Sequence, residues 1–260
     1  MSRTASVGET TVSETITIGE RFGGPPGCGN GGYTCGTIAA YVNANPALVR
    51  LQAPVPLGRA LDIVRQPDGE IEVTNGESVV ARARPAQLEV EVPEVPTIAN
   101  LDAAMARYEG HHRHPFPTCF VCGTEREPGD GLRLFTGPVE GRQMVGSTWT
   151  PDASLAGTDG PIDPVFVWAS LDCPSGWASL LLGDTTMRVL GEITAQIDGL
   201  PEVGESCVVM GWPIRREGER KTYVGSALVS ESGKVYGRAQ ALWLRIQSAP
   251  RASSGQIRGG

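Results

Sequence analysis

The chain has 260 residues, enough to bury a full core and, at a usual domain size of about 100–150 residues, to form two modules. Its 34 glycines, 20 prolines and 20% charged residues favour a turn-rich, mostly β protein over a disordered or all-helical one. A net charge of −7 argues against non-specific nucleic-acid binding, because phosphate contacts need clustered lysines and arginines.

No membrane or secretion signal is predicted. The N-terminal residues lack the basic start and continuous apolar core of a signal peptide, and no run approaches the ~18 apolar residues of a membrane span. We therefore expect a cytoplasmic protein without membrane contact. Six cysteines in a chain of this length are too sparse for a disulfide scaffold, so free thiols are expected.

The first half predicts a strand, a buried helix and four more strands. Residues 11–18 alternate between apolar and polar, which is the period of a half-buried strand. A glycine-proline loop leads to an apolar segment at 33–42 with few charges, which indicates a buried helix. Further strand patterns follow at 49–55, 60–66, 70–75 and 77–92, and the turn Pro67-Asp68-Gly69 predicts a hairpin.

The second half repeats this order after a proline-bounded linker with a short helix. The predicted elements are strands at 132–138 and 143–150, a buried helix at 165–182, and strands at 191–197, 206–214, 221–230 and 235–246. The expected organisation is an N-terminal module at 8–96, a linker at 97–116, a C-terminal module at 117–247 and a disordered tail at 248–260. Each module is expected to be α+β, an antiparallel sheet wrapped around a long buried helix. Two such sheets can join edge to edge and hide their edges.

The helix predicted at 165–182 carries a single carboxylate, Asp172, between Trp168, Leu171 and Trp177. A carboxylate in apolar surroundings either is capped and structural or performs chemistry. The structural alternative is that Asp172 caps amides freed where Pro174 bends the helix.

The turn Cys119-Phe120-Val121-Cys122-Gly123, followed by Gly131-Leu132-Arg133-Leu134, resembles the start of a hotdog-fold acyl-CoA thioesterase of the phenylacetyl-CoA thioesterase type. This resemblance implies a tandem double hotdog. In that family the buried helix opens with His-Gly-Gly and carries Asp or Glu eight residues after the first glycine. The glycine amide polarises the thioester carbonyl. The acid comes from the other protomer's helix and acts as nucleophile or general base.

Each half of this chain keeps what the other has lost. Asn30-Gly31-Gly32 stands at the family's His-Gly-Gly position in the first half, but the acid position is Ala39. In the second half the helix opens with Asp163-Pro164-Val165, while the acid position holds Asp172. Proline has no amide hydrogen to donate, so one composite site is expected, with the amide from the first helix and Asp172 from the second.

The predicted function is therefore hydrolysis of an acyl-CoA or an acyl-carrier thioester. Asp172 would be the base or nucleophile, and Gly31 and Gly32 would form the oxyanion hole at a helix N-terminus. We expect Asn30, Tyr33, Trp168 and Ser175 to contact the substrate. No cofactor is expected beyond coenzyme A as part of the substrate, and a homo-oligomer through sheet faces or edges is possible.

A zinc site is an alternative role for the histidines and the cysteine pair. Only one Cys-x-x-Cys pair is present, whereas a closed structural site usually has four ligands, so no metal is predicted. The residues concerned are His111, His112, His114, Cys119 and Cys122.

Rival functions are a hotdog hydratase or dehydratase, a non-catalytic acyl-CoA or acyl-carrier binding protein, and another biosynthetic enzyme that acts on an acyl thioester. No histidine-containing hydratase stretch follows the first helix or lies within the second, which disfavours the hydratase.

Overall fold

Eleven strands form one sheet within residues 14–157, 160–183 and 186–246, which are the parts of the chain that the computed structural model describes. The strands are β1 Glu14–Thr17, β2 Ala47–Leu51, β3 Ala60–Arg65, β4 Ile71–Asn75, β5 Ser78–Pro85, β6 Gly137–Pro138, β7 Val145–Trp149, β8 Arg188–Ile197, β9 Cys207–Glu217, β10 Lys221–Ser230 and β11 Val235–Arg245. The helices are α1 Gly31–Ala39, α2 Ile98–Met105 and α3 Pro164–Ala178. Residues 8–13 of the predicted N-terminal module, residue 247 of the predicted C-terminal module and the whole tail predicted at 248–260 lie outside the described residues.

The strand order is the same in the two halves of the sheet. Across the sheet the strands follow the order β1-β3-β4-β5-β2 in the first half and then β8-β11-β10-β9-β7-β6 in the second. The two orders match when each half is followed from its outer edge to the junction, apart from the extra edge strand β6. Neighbouring strands pair antiparallel. Each strand from β1 to β5 therefore has a counterpart from β7 to β11. The hairpin predicted at Pro67-Asp68-Gly69 connects β3 and β4, and Gly69 takes a φ of 85° there, which side chains disfavour.

The pair β2–β8 joins the two halves. Val49 lies opposite Ile193 at this junction, and both side chains are fully buried. Beside them Arg50 Nε donates a hydrogen bond of 2.7 Å to Glu192 Oε2. Because the two edge strands pair with each other, neither half leaves its junction strand open to another chain.

The helices α1 and α3 pack against each other and against the sheet. Local sequence sets where they begin: Asn30 caps α1, while Asp163 caps α3 by accepting a 3.0 Å hydrogen bond from the Val165 amide. Gly36 lets the helices approach closely, because a Cβ there would lie 2.7 Å from Trp168 Cβ. Both predicted helices are therefore present, and residues of both halves share one hydrophobic core.

The helix α3 and the 3₁₀ turn Ser179–Leu182 form a longer apolar segment than was expected from the sequence. Together, Pro164–Leu182 span 19 residues and contain an 18-residue segment with a mean hydropathy of 1.3, which by length and composition alone is enough to cross a membrane. The expectation that no segment reaches this length was wrong. Since 67% of the segment is buried inside the protein, its packing against the sheet accounts for its composition.

Two predicted strands are shorter in the structure than expected. The strand predicted at 77–92 ends at Pro85, and the alternating residues beyond it cover the outer face of the sheet instead of pairing with a neighbour. There Val90, Val92 and Val95 pack with Leu101 of α2 and with sheet residues. Alternation predicts an extended chain, but a strand also needs a partner edge, and that partner is absent among the described residues.

The strand predicted at 132–138 shortens to β6. Its first part runs beside the cysteine turn: the Leu132 amide donates to the Phe120 carbonyl, and the Leu134 amide donates to the Val121 carbonyl. The short helix expected within 97–116 is α2, which packs against the second half of the sheet together with the segment before it.

We predict that Ile193→Ala lowers the free energy of unfolding by about 2–5 kcal/mol, because it leaves a cavity at the junction of the two halves. Urea denaturation followed by tryptophan fluorescence measures this, and one transition is expected since the core is shared. The matched control is Ile214→Ala, whose side chain is 39% exposed and which should change the stability by less than about 0.5 kcal/mol. Equal effects of the two substitutions would contradict the junction's importance.

Candidate functional site

The N-terminus of α1 and the middle of α3 meet at Asp172. The Gly32 amide donates a hydrogen bond of 2.8 Å to Asp172 Oδ2, and Asn30 Nδ2 donates one of 3.0 Å to the same oxygen. Asn30 can do this because its Oδ1 is fixed by the Tyr33 amide at 2.9 Å, the usual arrangement of a helix cap. Asp172 therefore faces the first helix, as the sequence comparison of the two halves predicted.

Asp172 is only 2% exposed. Burial raises the pKa of its carboxyl group to about 7, while the hydrogen bond from the Gly32 amide opposes this shift. Oδ1, the second oxygen, has no hydrogen-bond partner among the described residues. The carboxylate thus has one anchored oxygen and one oxygen without a partner.

Glycine is required at position 32 by contact with α3. A Cβ on Gly32 would lie 2.5 Å from Asp172 Cβ and 2.7 Å from the Trp168 carbonyl oxygen, closer than atoms can pack. At Gly31 the nearest contact would be Leu190 Cδ2 at 2.9 Å, the end of a flexible side chain. Only a residue without a side chain allows the amide of residue 32 to reach the carboxylate.

A cavity of about 820 Å³ opens beside this contact. Asn30, Gly31 and Asp172 lie in its wall, and the Gly31 amide has no hydrogen-bond acceptor in the part of the chain that is described. Much of the remaining wall is apolar and includes Leu51, Val55, Phe116, Trp177, Leu190 and Trp243. This volume is in the range of small-molecule sites, about 300–1,000 Å³. Of these wall residues, only Trp177 was placed near Asp172 from the sequence; the others come from separate strands and loops.

Three residues predicted to contact the substrate do not line the cavity. Tyr33 stacks on Phe22 with 3.8 Å between ring centroids, and Trp168 packs against α1. Ser175 donates a 2.6 Å hydrogen bond to the Asp172 carbonyl oxygen and accepts one of 2.8 Å from Trp243 Nε1. Tyr33 and Trp168 therefore contribute to packing, and Ser175 bonds to the backbone of α3. Of the four residues predicted to contact the substrate, only Asn30 lies in the cavity wall.

The Gly32 amide also differs from its predicted role. Asp172 already accepts its hydrogen bond, so this amide holds the carboxylate in place. The Gly31 amide, by contrast, has the free donor and the position in the cavity wall that an oxyanion hole needs.

The N-terminus of α3 has different surroundings. Pro164 occupies its first turn and supplies no amide hydrogen, and the Asp163 side chain is used as the cap. Just inside this helix Phe166 packs in an aromatic cluster with Phe22, Tyr33 and Phe120. The N-terminus of α1 therefore meets the acid of α3, as predicted. The N-terminus of α3 has no matching acid, because α1 carries Ala39 at that position.

A cluster of three cysteines adjoins Asp172. Cys119 Sγ lies 3.7 Å from Cys173 Sγ, and the sulfur atoms of Cys119, Cys122 and Cys173 all lie within 4.8 Å of one another. Hydrogen bonds from Cys122 and Cys173 hold the pKa of the Cys119 thiol well below its usual value. The Cys-x-x-Cys spacing pairs Cys119 with Cys122 in the sequence, but Cys173 lies 51 residues further along. A helix residue next to a loop motif has no spacing signal that could have linked it to the pair.

The histidines considered as metal ligands have other contacts. His114 Nδ1 accepts a 2.9 Å hydrogen bond from the Phe116 amide, and Nε2 lies 3.0 Å from the Cys122 carbonyl oxygen. Burial lowers the pKa of His114. The His111 ring packs on Tyr108 and Phe135. His114 therefore holds the loop that carries the cysteines rather than joining their sulfur atoms.

No protein-family model and no curated protein matches the chain. Solved structures do. A putative thioesterase from Novosphingobium aromaticivorans aligns over 89% of this chain and 94% of its own, with 14% identity and a TM-score of 0.57. The TesB protein of Mycobacterium avium subspecies paratuberculosis aligns over 84% of this chain and 87% of its own, with 11% identity and a TM-score of 0.53. The Escherichia coli PaaI protein aligns over 42% of this chain and 78% of its own, with 13% identity and a TM-score of 0.37.

The solved structures similar to this chain thus include thioesterase superfamily proteins. Two of them align over most of this chain, which has a large antiparallel sheet with few helices. The chain has a hotdog fold.

Proposed function

We propose that the chain is an acyl thioester hydrolase, acting on acyl-CoA or carrier-bound acyl groups, with one composite site between two tandem hotdog modules. The observation that carries this proposal is the hydrogen bond between the Gly32 amide and Asp172 in the wall of the cavity. It unites an acid from one half with a helix N-terminus from the other.

The repeated strand order supports the tandem arrangement. Strands β1–β5 and β7–β11 occupy equivalent positions on either side of the β2–β8 junction, and each half contributes one helix to the α1–α3 contact. The whole-chain similarity to a putative thioesterase agrees with this arrangement at the level of fold.

The proposed reaction uses the two oxygens of Asp172 differently. Oδ2 is held by Gly32 and Asn30, which leaves Oδ1 to take a proton from a water molecule as that water attacks the thioester carbonyl carbon. Burial makes the carboxylate more basic than one at the surface. In the nucleophilic alternative, Oδ1 itself attacks the carbonyl carbon, the carbon–sulfur bond breaks to release the thiolate, and water then hydrolyses the resulting anhydride to free the acid and Asp172.

The negative charge that develops on the carbonyl oxygen needs a donor. The Gly31 amide supplies it, helped by the favourable potential at the helix N-terminus. When the tetrahedral intermediate collapses, the carbon–sulfur bond breaks, and the proton held by Asp172 passes to the departing thiolate. The products are a carboxylic acid and a free thiol. The apolar part of the cavity wall accommodates the acyl group.

Binding of an acyl thioester without hydrolysis is the second candidate. One observation favours it: the Gly32 amide is occupied by Asp172, so a single amide of the predicted pair is left for the oxyanion. Binding of an acyl-CoA by wild type with no release of thiol would support this alternative.

We predict that Asp172→Asn lowers kcat for acyl-CoA hydrolysis by about 10²–10⁴-fold, because the amide cannot accept a proton from water. The fold should be kept, since the asparagine Oδ1 still accepts the hydrogen bond from Gly32. Thiol release across a panel of acyl-CoA thioesters, read with a thiol reagent, measures the loss. The matched control is Asp163→Asn. Asp163 caps α3 away from the cavity, and the variant should keep wild-type activity because asparagine is also a good cap. Full activity in Asp172→Asn would end the proposal.

We predict that Gly32→Ala inactivates the protein beyond its effect on stability. The added methyl group would push Asp172 away from the α1 N-terminus. Gly36→Ala is the control, because its Cβ also meets α3, at 2.7 Å from Trp168 Cβ, but does not touch Asp172. Each substitution should cost about 1–3 kcal/mol of stability by overpacking.

Thermal denaturation and thiol release are measured on both variants. Hydrolysis per folded molecule should fall far more in Gly32→Ala than in Gly36→Ala. Equal losses of activity would show that helix spacing matters and that the contact between Gly32 and Asp172 does not.

A further inference from the structure

The three clustered cysteines come from two separate parts of the chain. Cys119 and Cys122 lie in the turn before β6, and Cys173 lies on α3 beside Asp172. All three are buried and lie in the cavity wall, so a small ion has a path to them.

The spacing of the sulfur atoms fits a tetrahedral metal centre. Zinc–sulfur bonds of about 2.3 Å at tetrahedral angles place two sulfur atoms about 3.8 Å apart. Cys119 Sγ and Cys173 Sγ are 3.7 Å apart, and Cys122 Sγ lies within 4.8 Å of both. The Cys-x-x-Cys spacing is itself the usual way in which one turn supplies two ligands.

Neighbouring groups already orient these sulfur atoms. Asn30 Nδ2 lies 3.7 Å from Cys119 Sγ and 3.8 Å from Cys173 Sγ, as a hydrogen-bond donor to both. His114 holds the Cys122 carbonyl oxygen in place. Donors of this kind stabilise thiolates and fix ligand direction in metal sites. Thiolate ligands select zinc over magnesium or calcium, which prefer oxygen.

We propose that Cys119, Cys122 and Cys173 bind one Zn²⁺ as thiolates, with the fourth position taken by water from the cavity. Binding releases to solvent the thiol protons that the three cysteines still carry. The ion ties the cysteine turn to α3 and so fixes the wall of the cavity next to Asp172. This site goes beyond the proposed hydrolysis and does not depend on it.

Zinc binding to the reduced protein tests the proposal directly. Zn²⁺ is titrated against a chromophoric chelator, and one equivalent should bind to wild type. Cys119→Ala, Cys122→Ala and Cys173→Ala should each weaken binding by about 100-fold or more, since losing a ligand costs at least as much as losing an outer hydrogen-bond partner. Cys28→Ala and Cys207→Ala are matched controls, because both residues are buried cysteines outside the cluster, and both should bind as wild type does.

Cobalt provides a measurement on wild type alone, in case a variant fails to fold. Co²⁺ bound to the reduced protein should give thiolate-to-metal charge-transfer absorption and the visible bands of a tetrahedral site, and zinc should remove them. Asp172→Asn should keep zinc binding while losing hydrolysis, so failure of one proposal is distinguishable from failure of the other.

Two results would overturn the zinc site. One is reduced wild type that binds zinc no more tightly than the cluster variants do. The other is a cobalt spectrum without thiolate bands. A disulfide between Cys119 and Cys173 in the isolated protein, combined with no zinc uptake after reduction, would assign the cluster to redox chemistry instead.

Discussion

The hydrogen bond from the Gly32 amide to Asp172 is the contact on which the rest of the site depends. A buried carboxylate is costly unless it is hydrogen-bonded, and the two nitrogen donors to Asp172, from Gly32 and Asn30, both come from the other half of the chain. The two helices must therefore approach to the limit that glycine allows. Their approach in turn needs the β2–β8 junction, which fixes one half of the sheet against the other. The geometry of the site is thus set by the pairing of two strands, β2 and β8, which also supply part of the cavity wall.

The halves share an architecture but differ at their helix starts. At α1 the chain has glycines with an open cavity beside them, whereas at α3 it has Pro164 and an aromatic cluster around Phe166. When the two halves belong to one polypeptide, each can acquire its own substitutions. The two subunits of a homodimer cannot, because they share one sequence. One helix start leaves the Gly31 amide in the cavity wall, and the other is covered by packed aromatic rings.

Much of the fold follows from local sequence signals. The two buried helices, the hairpin turns and the four long strands of the second half were predictable, because periodicity and turn residues are local properties. The pairing of Gly32 with Asp172 was also predictable, but only by comparing the two halves. Residues 86–92 were predicted as part of a strand, because alternation alone does not reveal whether a neighbouring strand is available to pair with them.

The parts of the site that escaped prediction depend on three-dimensional contact. Tyr33 and Trp168 are aromatic residues near the motif, and nothing in their spacing shows that they face the core instead of the cavity. The closeness of Cys173 to the Cys119 turn likewise depends on where α3 crosses that turn. Such neighbours, distant in the chain, are fixed only when the sheet closes around the helices.

The β2–β8 junction has a further consequence, because it forms within one polypeptide. An interface between separate subunits dissociates on dilution, since its stability includes a term that depends on protein concentration. Here the connecting segment holds the two edges at a high effective concentration however dilute the protein becomes. A site shared between the two halves therefore persists at copy numbers at which a dimer of single modules would come apart.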